Sequence, residues 1–104
     1  MSNRKKLVRE KFREAVFKRD NYKCCFCDIT LNLDAHHITD RNLLPNGGYV
    51  KSNGITLCPE HHIIAEMWHE SDGELFEIGF TPNDLYHKIN SSLKLAISDS
   101  EKLK

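Results

Sequence analysis

Cys24-x-x-Cys27 and Cys58-x-x-His61 each place two soft donors two residues apart, so both side chains of one turn can converge on a single ion. Three thiolates and an imidazole match Zn²⁺ in a closed four-ligand site, which holds structure together and leaves no open position for chemistry. A structural zinc is therefore expected at Cys24, Cys27, Cys58 and His61, clamping the end of one helix to the start of another. Cys25 sits between these ligands and is expected to point away as a free thiol. Three clustered cysteines and one distant partner, without a secretion signal, favour metal over disulfides.

A second set of donors remains once that site is filled: His36, His37, Asn53 and His62. His36 and His37 are adjacent on an extended stretch, so their side chains face opposite ways. One imidazole can hold a metal while the other faces a different object. His62 directly follows the zinc ligand His61 and, on a helix, points about 100° away from it. A strand packed against that helix could bring His36 and His62 onto one ion. Glu66 and His69 follow at i+4 and i+7 from His62 on the same helical face. Glu66 is a candidate further ligand or an acceptor that orients a ligand imidazole. His87 stands apart and is expected to be an ordinary surface or core residue.

These residues need elements to position them. Val8, Phe12, Ala15 and Val16 recur at i, i+4, i+7 and i+8, which predicts an amphipathic helix over 5–19 with Lys18 and Arg19 in its last turn. Asp20-Asn21 ends it. Residues 34–38 are extended, a long polar loop runs over 39–53, and Ile55-Thr56-Leu57 returns as a second strand. Pro59 suits the first turn of a helix over 59–69, with Ile63, Ile64, Met67 and Trp68 as its apolar face. Leu75, Phe76, Ile78 and Phe80 form either a short strand or core-filling coil. Thr81-Pro82-Asn83-Asp84 opens a terminal helix over 82–97, where Leu85, Ile89, Leu93 and Ile97 repeat at i+4, with a fraying tail over 98–104. The fold class expected is a small α+β domain over residues 1–104.

No apolar run approaches the roughly 18 residues of a membrane span. No apolar stretch follows the basic N-terminus, so the expected location is the cytoplasm. Net charge is zero, yet its distribution is uneven: residues 1–23 carry nine Lys/Arg against three acids, and the remainder six against twelve. Lys5, Arg9 and Arg13, at i+4 steps, form a basic stripe beside the apolar one. It is either a phosphate-binding footprint or a solvated helix face.

The stretches Asp34-Ala35-His36-His37-Ile38 and Asn53-Gly54-Ile55-Thr56-Leu57-Cys58-Pro59-Glu60-His61-His62 resemble the ββα-metal (His-Me finger) motif of HNH endonucleases. They are similar to the nuclease domains of colicin-type DNases and the nicking domain of RNA-guided nucleases. With its cysteine frame the chain most resembles compact HNH proteins of phages and bacteria. The resemblance covers residues 12–69, with its core motif over 34–69, and includes the nine-residue step from Asn53 to His62. Two departures stand out. The family's second zinc half is commonly Cys-x-x-Cys, and some members carry a third metal-binding histidine where this chain has Glu66.

The resemblance implies that His36 and His62 hold a catalytic divalent ion, that His37 is the general base, and that Asn53 ties the loop and holds the base in place. It implies hydrolysis of DNA to a 5′-phosphate and a 3′-hydroxyl. Oxygen ligands would argue for Mg²⁺, whereas imidazoles suit Mn²⁺, Ni²⁺ or Zn²⁺. Given a nuclease, Lys5, Arg9 and Arg13 would neutralise backbone phosphates, and Arg41 either clamps the scissile phosphate or is a solvated loop charge. DNA is the expected partner and a monomer the expected state. The alternatives are a zinc-stabilised nucleic-acid-binding module that cuts nothing, and a nuclease subunit working beside a phage or host protein such as a packaging complex.

Overall fold

The computed structural model describes residues 2–103 and has a small α+β architecture. Helix α1 spans Ser2–Arg19, strand β1 Asp34–His37 and strand β2 Gly54–Leu57. Helices α2, α3 and α4 span Pro59–Glu70, Pro82–Lys88 and Leu93–Glu101. The two strands form one antiparallel pair, with Asp34 opposite Leu57, His36 opposite Ile55 and His37 opposite Gly54. Among the described residues, no helix is long and apolar enough to cross a membrane.

Helix α1 lays the predicted stripe against the sheet. Phe12 and Val16 are buried, whereas Lys5, Arg9 and Arg13 are exposed. The approach is close because β2 begins at Gly54, where a Cβ would stand 2.5 Å from Val16 Cγ2 and 2.8 Å from Phe12 Cε1. Any side chain there would lever the helix off the strands. The helix ends in a Schellman arrangement: Asn21 takes positive φ, its N–H reaches Lys18 O, and Tyr22 N–H reaches Phe17 O.

The terminal helix differs from expectation. It is two helices, because Asn90 adopts φ 56° and the same arrangement closes α3: Asn90 N–H donates to His87 O and Ser91 N–H to Tyr86 O. Ser92 then caps α4, its side chain accepting from Leu95 N–H. Asparagine tolerates the left-handed region and serine favours an N-cap, so the leucine repeat runs across a real break. The start was legible, since Thr81 and Asp84 form a full capping box. The expected fraying tail is helical through Glu101 with Ser100 buried, and Lys104 lies outside the described residues.

Two further expectations change. Residues 75–80 form no strand; Leu75, Phe76 and Ile78 are exposed, and Phe80 alone turns in to stack on His61. In α2, Ile63 is exposed and Ala65 is the buried residue, because the strand-facing side of this helix is given to His62, Glu66 and His69. The polar loop between the strands is ordered by short 3-10 turns at Arg41–Leu43, Pro45–Gly48 and Lys51–Asn53.

Candidate metal centres and the cleft between them

The Cys-x-x-Cys turn is fixed by backbone bonds before any ion is considered. Cys24 N–H donates to Ile29 O, Cys25 N–H to Thr56 O on β2, and Phe26 N–H to Cys24 Sγ at 3.4 Å. The other half sits where β2 passes into α2, with Cys58 at the N-cap and Pro59 at the first helical position. Ligand atoms of Cys24, Cys27, Cys58 and His61 all lie within 4.8 Å of one another. Cys27 Sγ and Cys58 Sγ are 3.8 Å apart, and Cys24 Sγ lies 3.6 Å from His61 Nδ1. Thiolates at ~2.3 Å from a tetrahedral zinc stand about 3.7 Å apart, so these separations suit that ion. The Cys3His group can hold a metal ion such as zinc.

The thiols already differ in acidity. Burial raises Cys58, but the His61 amide and ring and the adjacent thiols outweigh it and bring it to about 7. Cys25 goes the other way, pushed up to about 12 by burial and by the charge of Asp20. It stays outside the cluster as an inert thiol. His61 packs against Phe26 and Phe80, whose own rings lie 4.4 Å apart, and Lys88 of α3 lies over the Phe26 ring.

The second centre forms where β1 faces α2. His36 is 2% exposed and turns toward the helix, its ring centroid 5.2 Å from that of His62 and 5.3 Å from that of His69. His36 Nδ1 lies 3.0 Å from Glu66 Oε2, and His62 Nε2 lies 3.4 Å from the same oxygen. His36, His62 and Glu66 thus offer ligand atoms all within 4.8 Å of one another. The His36–Glu66 contact is close but poorly aligned, so among the described residues neither ring nitrogen of this buried histidine has a hydrogen-bond partner. A buried imidazole left without partners is costly unless something else satisfies it. Burial pushes its pKa below the usual histidine range, and the adjacent His36 ring holds the Glu66 carboxyl low.

His37 faces the other way. Its ring stacks on Phe12 of α1 at 4.4 Å and meets Tyr49 edge-on at 5.0 Å. Burial, then the charge of Arg41, lowers its pKa to about 4. One cleft contains His36, His37, His62, Glu66 and His69 with Asp40 and Arg41 at its edge, and a second joins His37 to Arg9, Arg13, Arg41 and Tyr49. His37 and Arg41 belong to both.

Asn53 is completely buried and satisfies four bonds. Its Oδ1 accepts from Thr39 N–H at 2.9 Å and Tyr86 O–H at 2.7 Å, and its Nδ2 donates to Thr39 O and Gly48 O. Ile38 N–H donates to Asn53 O, so both ends of the inter-strand loop close on this residue beside His37.

Asp34, Tyr49 and Tyr86 matter here although no role was expected of them, and His69, expected on the His62 face, makes a contact that was not. Asp34 Oδ2 meets His62 Nδ1 at 3.3 Å; lying two residues before His36, it shares that strand face, which was the available signal. Its other oxygen meets Arg13 at 3.6 Å, a half-exposed ion pair between β1 and α1. His69 Nε2 donates to His37 O at 3.1 Å. Tyr49 O–H accepts from Arg41, and Tyr86 reaches Asn53 from α3. Lys5 and Arg9 line a separate cleft with Arg41.

No family model, curated protein or solved structure matches this chain.

Proposed function

We propose that this chain is a metal-dependent endonuclease of the HNH type, built on a ββα-metal motif, that hydrolyses DNA phosphodiester bonds. The observation that carries the reading is the second donor set: His36, His62 and Glu66 converge in a cleft shared with His37, and a chain needing only a zinc frame has no use for them.

His36 and His62 would hold the catalytic divalent ion, with Glu66 as a further ligand. Asp34 orients the His62 imidazole through Nδ1, the usual arrangement behind a ligand histidine. When bound, such an ion neutralises charge on a phosphate and on the departing 3′ oxygen. Mn²⁺ or Ni²⁺ suits the imidazoles, whereas the Glu66 oxygen also allows Mg²⁺. His37 takes a proton from the attacking water. The water oxygen forms a bond to phosphorus, the bond to the 3′ oxygen breaks, and that oxygen takes up a proton from solvent. The products are a 5′-phosphate and a 3′-hydroxyl. Asn53 holds the loop that carries Arg41 beside the base, and His69 fixes the backbone carbonyl of the base itself. The second ion, zinc at Cys24, Cys27, Cys58 and His61, is structural.

Plasmid nicking in the presence of Mn²⁺ tests this directly. The unmodified protein converts supercoiled DNA to open circles, and His37→Ala with its zinc retained loses at least 100-fold in rate, about the contribution of a general base. If His37→Ala nicks as fast as the unmodified chain, the catalytic assignment is wrong and a binding module remains.

A further inference from the structure

Beside the histidine cleft lies another, about 430 Å³ in volume, lined by Lys5, Val8, Arg9, Arg41, Asn46 and Tyr49. Among the described residues three cations and no acid line it, with Val8 as its aliphatic and Tyr49 as its aromatic side chain. Tyr49 accepts from Arg41 Nη1 at 2.8 Å, which holds the guanidinium at the mouth shared with His37. Arg41 lines all three clefts, and Arg9 and Tyr49 line both this one and the one that reaches His37.

A duplex presents phosphates outward and keeps its bases stacked, so it would use the cations and leave the apolar floor bare. An unpaired nucleotide exposes base and sugar together with its phosphate. An apolar, aromatic floor rimmed by cations matches all three parts. We infer that this cleft is a subsite for an unpaired nucleotide next to the phosphate that His37 faces, making the preferred substrate a nucleic acid with a single-stranded stretch at the cut. The inference rests on the nuclease reading for the chemistry it serves, and it specifies a substrate class that reading leaves open.

The zinc-loaded protein is titrated without added divalent ion, by fluorescence anisotropy, against labelled single-stranded DNA, a gapped duplex, a blunt duplex and a single strand carrying abasic residues. The single strand and the gapped duplex should bind about tenfold tighter than the blunt duplex or the abasic strand, the scale of one base stacked on an aromatic floor. Tyr49→Leu removes the aromatic face and keeps every cation, so it should erase the preference, whereas Arg9→Gln should weaken all four ligands alike. Equal binding of the intact and abasic strands by the unmodified protein overturns the inference, whatever the variants do. So does a folded, zinc-replete Tyr49→Leu that keeps the preference. Plasmid nicking by a protein with no strand preference removes the subsite and leaves the nuclease. Strand preference in a protein that cuts nothing retains the subsite and removes the nuclease.

Discussion

The Tyr86 hydroxyl donates to Asn53 Oδ1 at 2.7 Å and lies 2.6 Å from Thr39 Oγ1, joining α3 to the loop between the strands across 33 residues of chain. Tyr86 is 2% exposed and Asn53 wholly buried, so water cannot replace the bond. Tyr86→Phe keeps the ring and removes only the donor. The expected cost is about 1–2 kcal/mol of stability, read from urea unfolding midpoints. In the nicking assay kcat should fall with KM little changed, because the loop behind His37 loosens while the strand-binding surface stays. A Tyr86→Phe protein with unchanged stability would show that the hydroxyl is idle.

The Cys3His cluster carries a second prediction. Residues around it contribute a thin core: Cys24 and Cys58 are themselves buried members, and Phe26 and Phe80 pack against them only partly buried. In a chain of this size, metal binding and folding are then one equilibrium. Cys58→Ser, or dialysis against a zinc chelator, should abolish the cooperative thermal transition and release one equivalent of zinc measured by plasma mass spectrometry. A chelated protein that still melts cooperatively at its original temperature would show that the cluster is dispensable.

Asp20 gives a pH dependence with a definite sign. Burial would raise its carboxyl pKa, but Arg19 pairs with both oxygens, at 2.9 and 2.8 Å, and Thr56 N–H donates at 3.0 Å, and together these lower it below the ordinary 3.8. The Cys25 thiol is the other titratable neighbour and is neutral throughout this range. A depressed carboxylate contributes stability that is fully present above its unfolded pKa and is lost as pH falls through the folded one. Asp20→Asn should therefore cost about 1–3 kcal/mol at neutral pH. The difference between the two proteins should shrink below about pH 4. Subtracting the variant's curve from the parent's removes the separate acid loss caused by His36 and His37, whose buried rings also resist protonation. A difference independent of pH would reject the ion pair as its source.

The metal-competent groups were legible because their signals are local. Two-residue spacing gathers Cys24 with Cys27 and Cys58 with His61, and period two on a strand with period 3.6 on a helix gathers His36 with His62 and Glu66. Helix α1 was legible for the same reason. What escaped depends on partners far along the chain or on residues that serve two conformations equally. The Asn90 break is invisible in an unbroken leucine repeat, and nothing near Tyr86 announces a bond to Asn53. The Arg13–Asp34 ion pair likewise joins residues of α1 and β1 that are far apart in the chain.

Glu66 carries the last prediction. Its Oε2 lies 3.0 Å from His36 and 3.4 Å from His62, so one oxygen faces both imidazoles. If that oxygen completes the second centre, Glu66→Gln weakens Mn²⁺ binding by about 10–100-fold, the usual scale for a group that binds or orients a ligand histidine. Calorimetric titration of the zinc-loaded protein with Mn²⁺ measures this, with zinc content as the internal control. The glutamine keeps the shape and one oxygen acceptor but loses the charge, so a folded variant with unchanged Mn²⁺ affinity would remove Glu66 from the centre. Asp34→Asn provides the comparison: Asp34 meets the donor set at His62 Nδ1, behind the ligand atom, and the change should produce a smaller loss. Losses of equal size would mean that both carboxylates act through the histidines and that neither is a ligand.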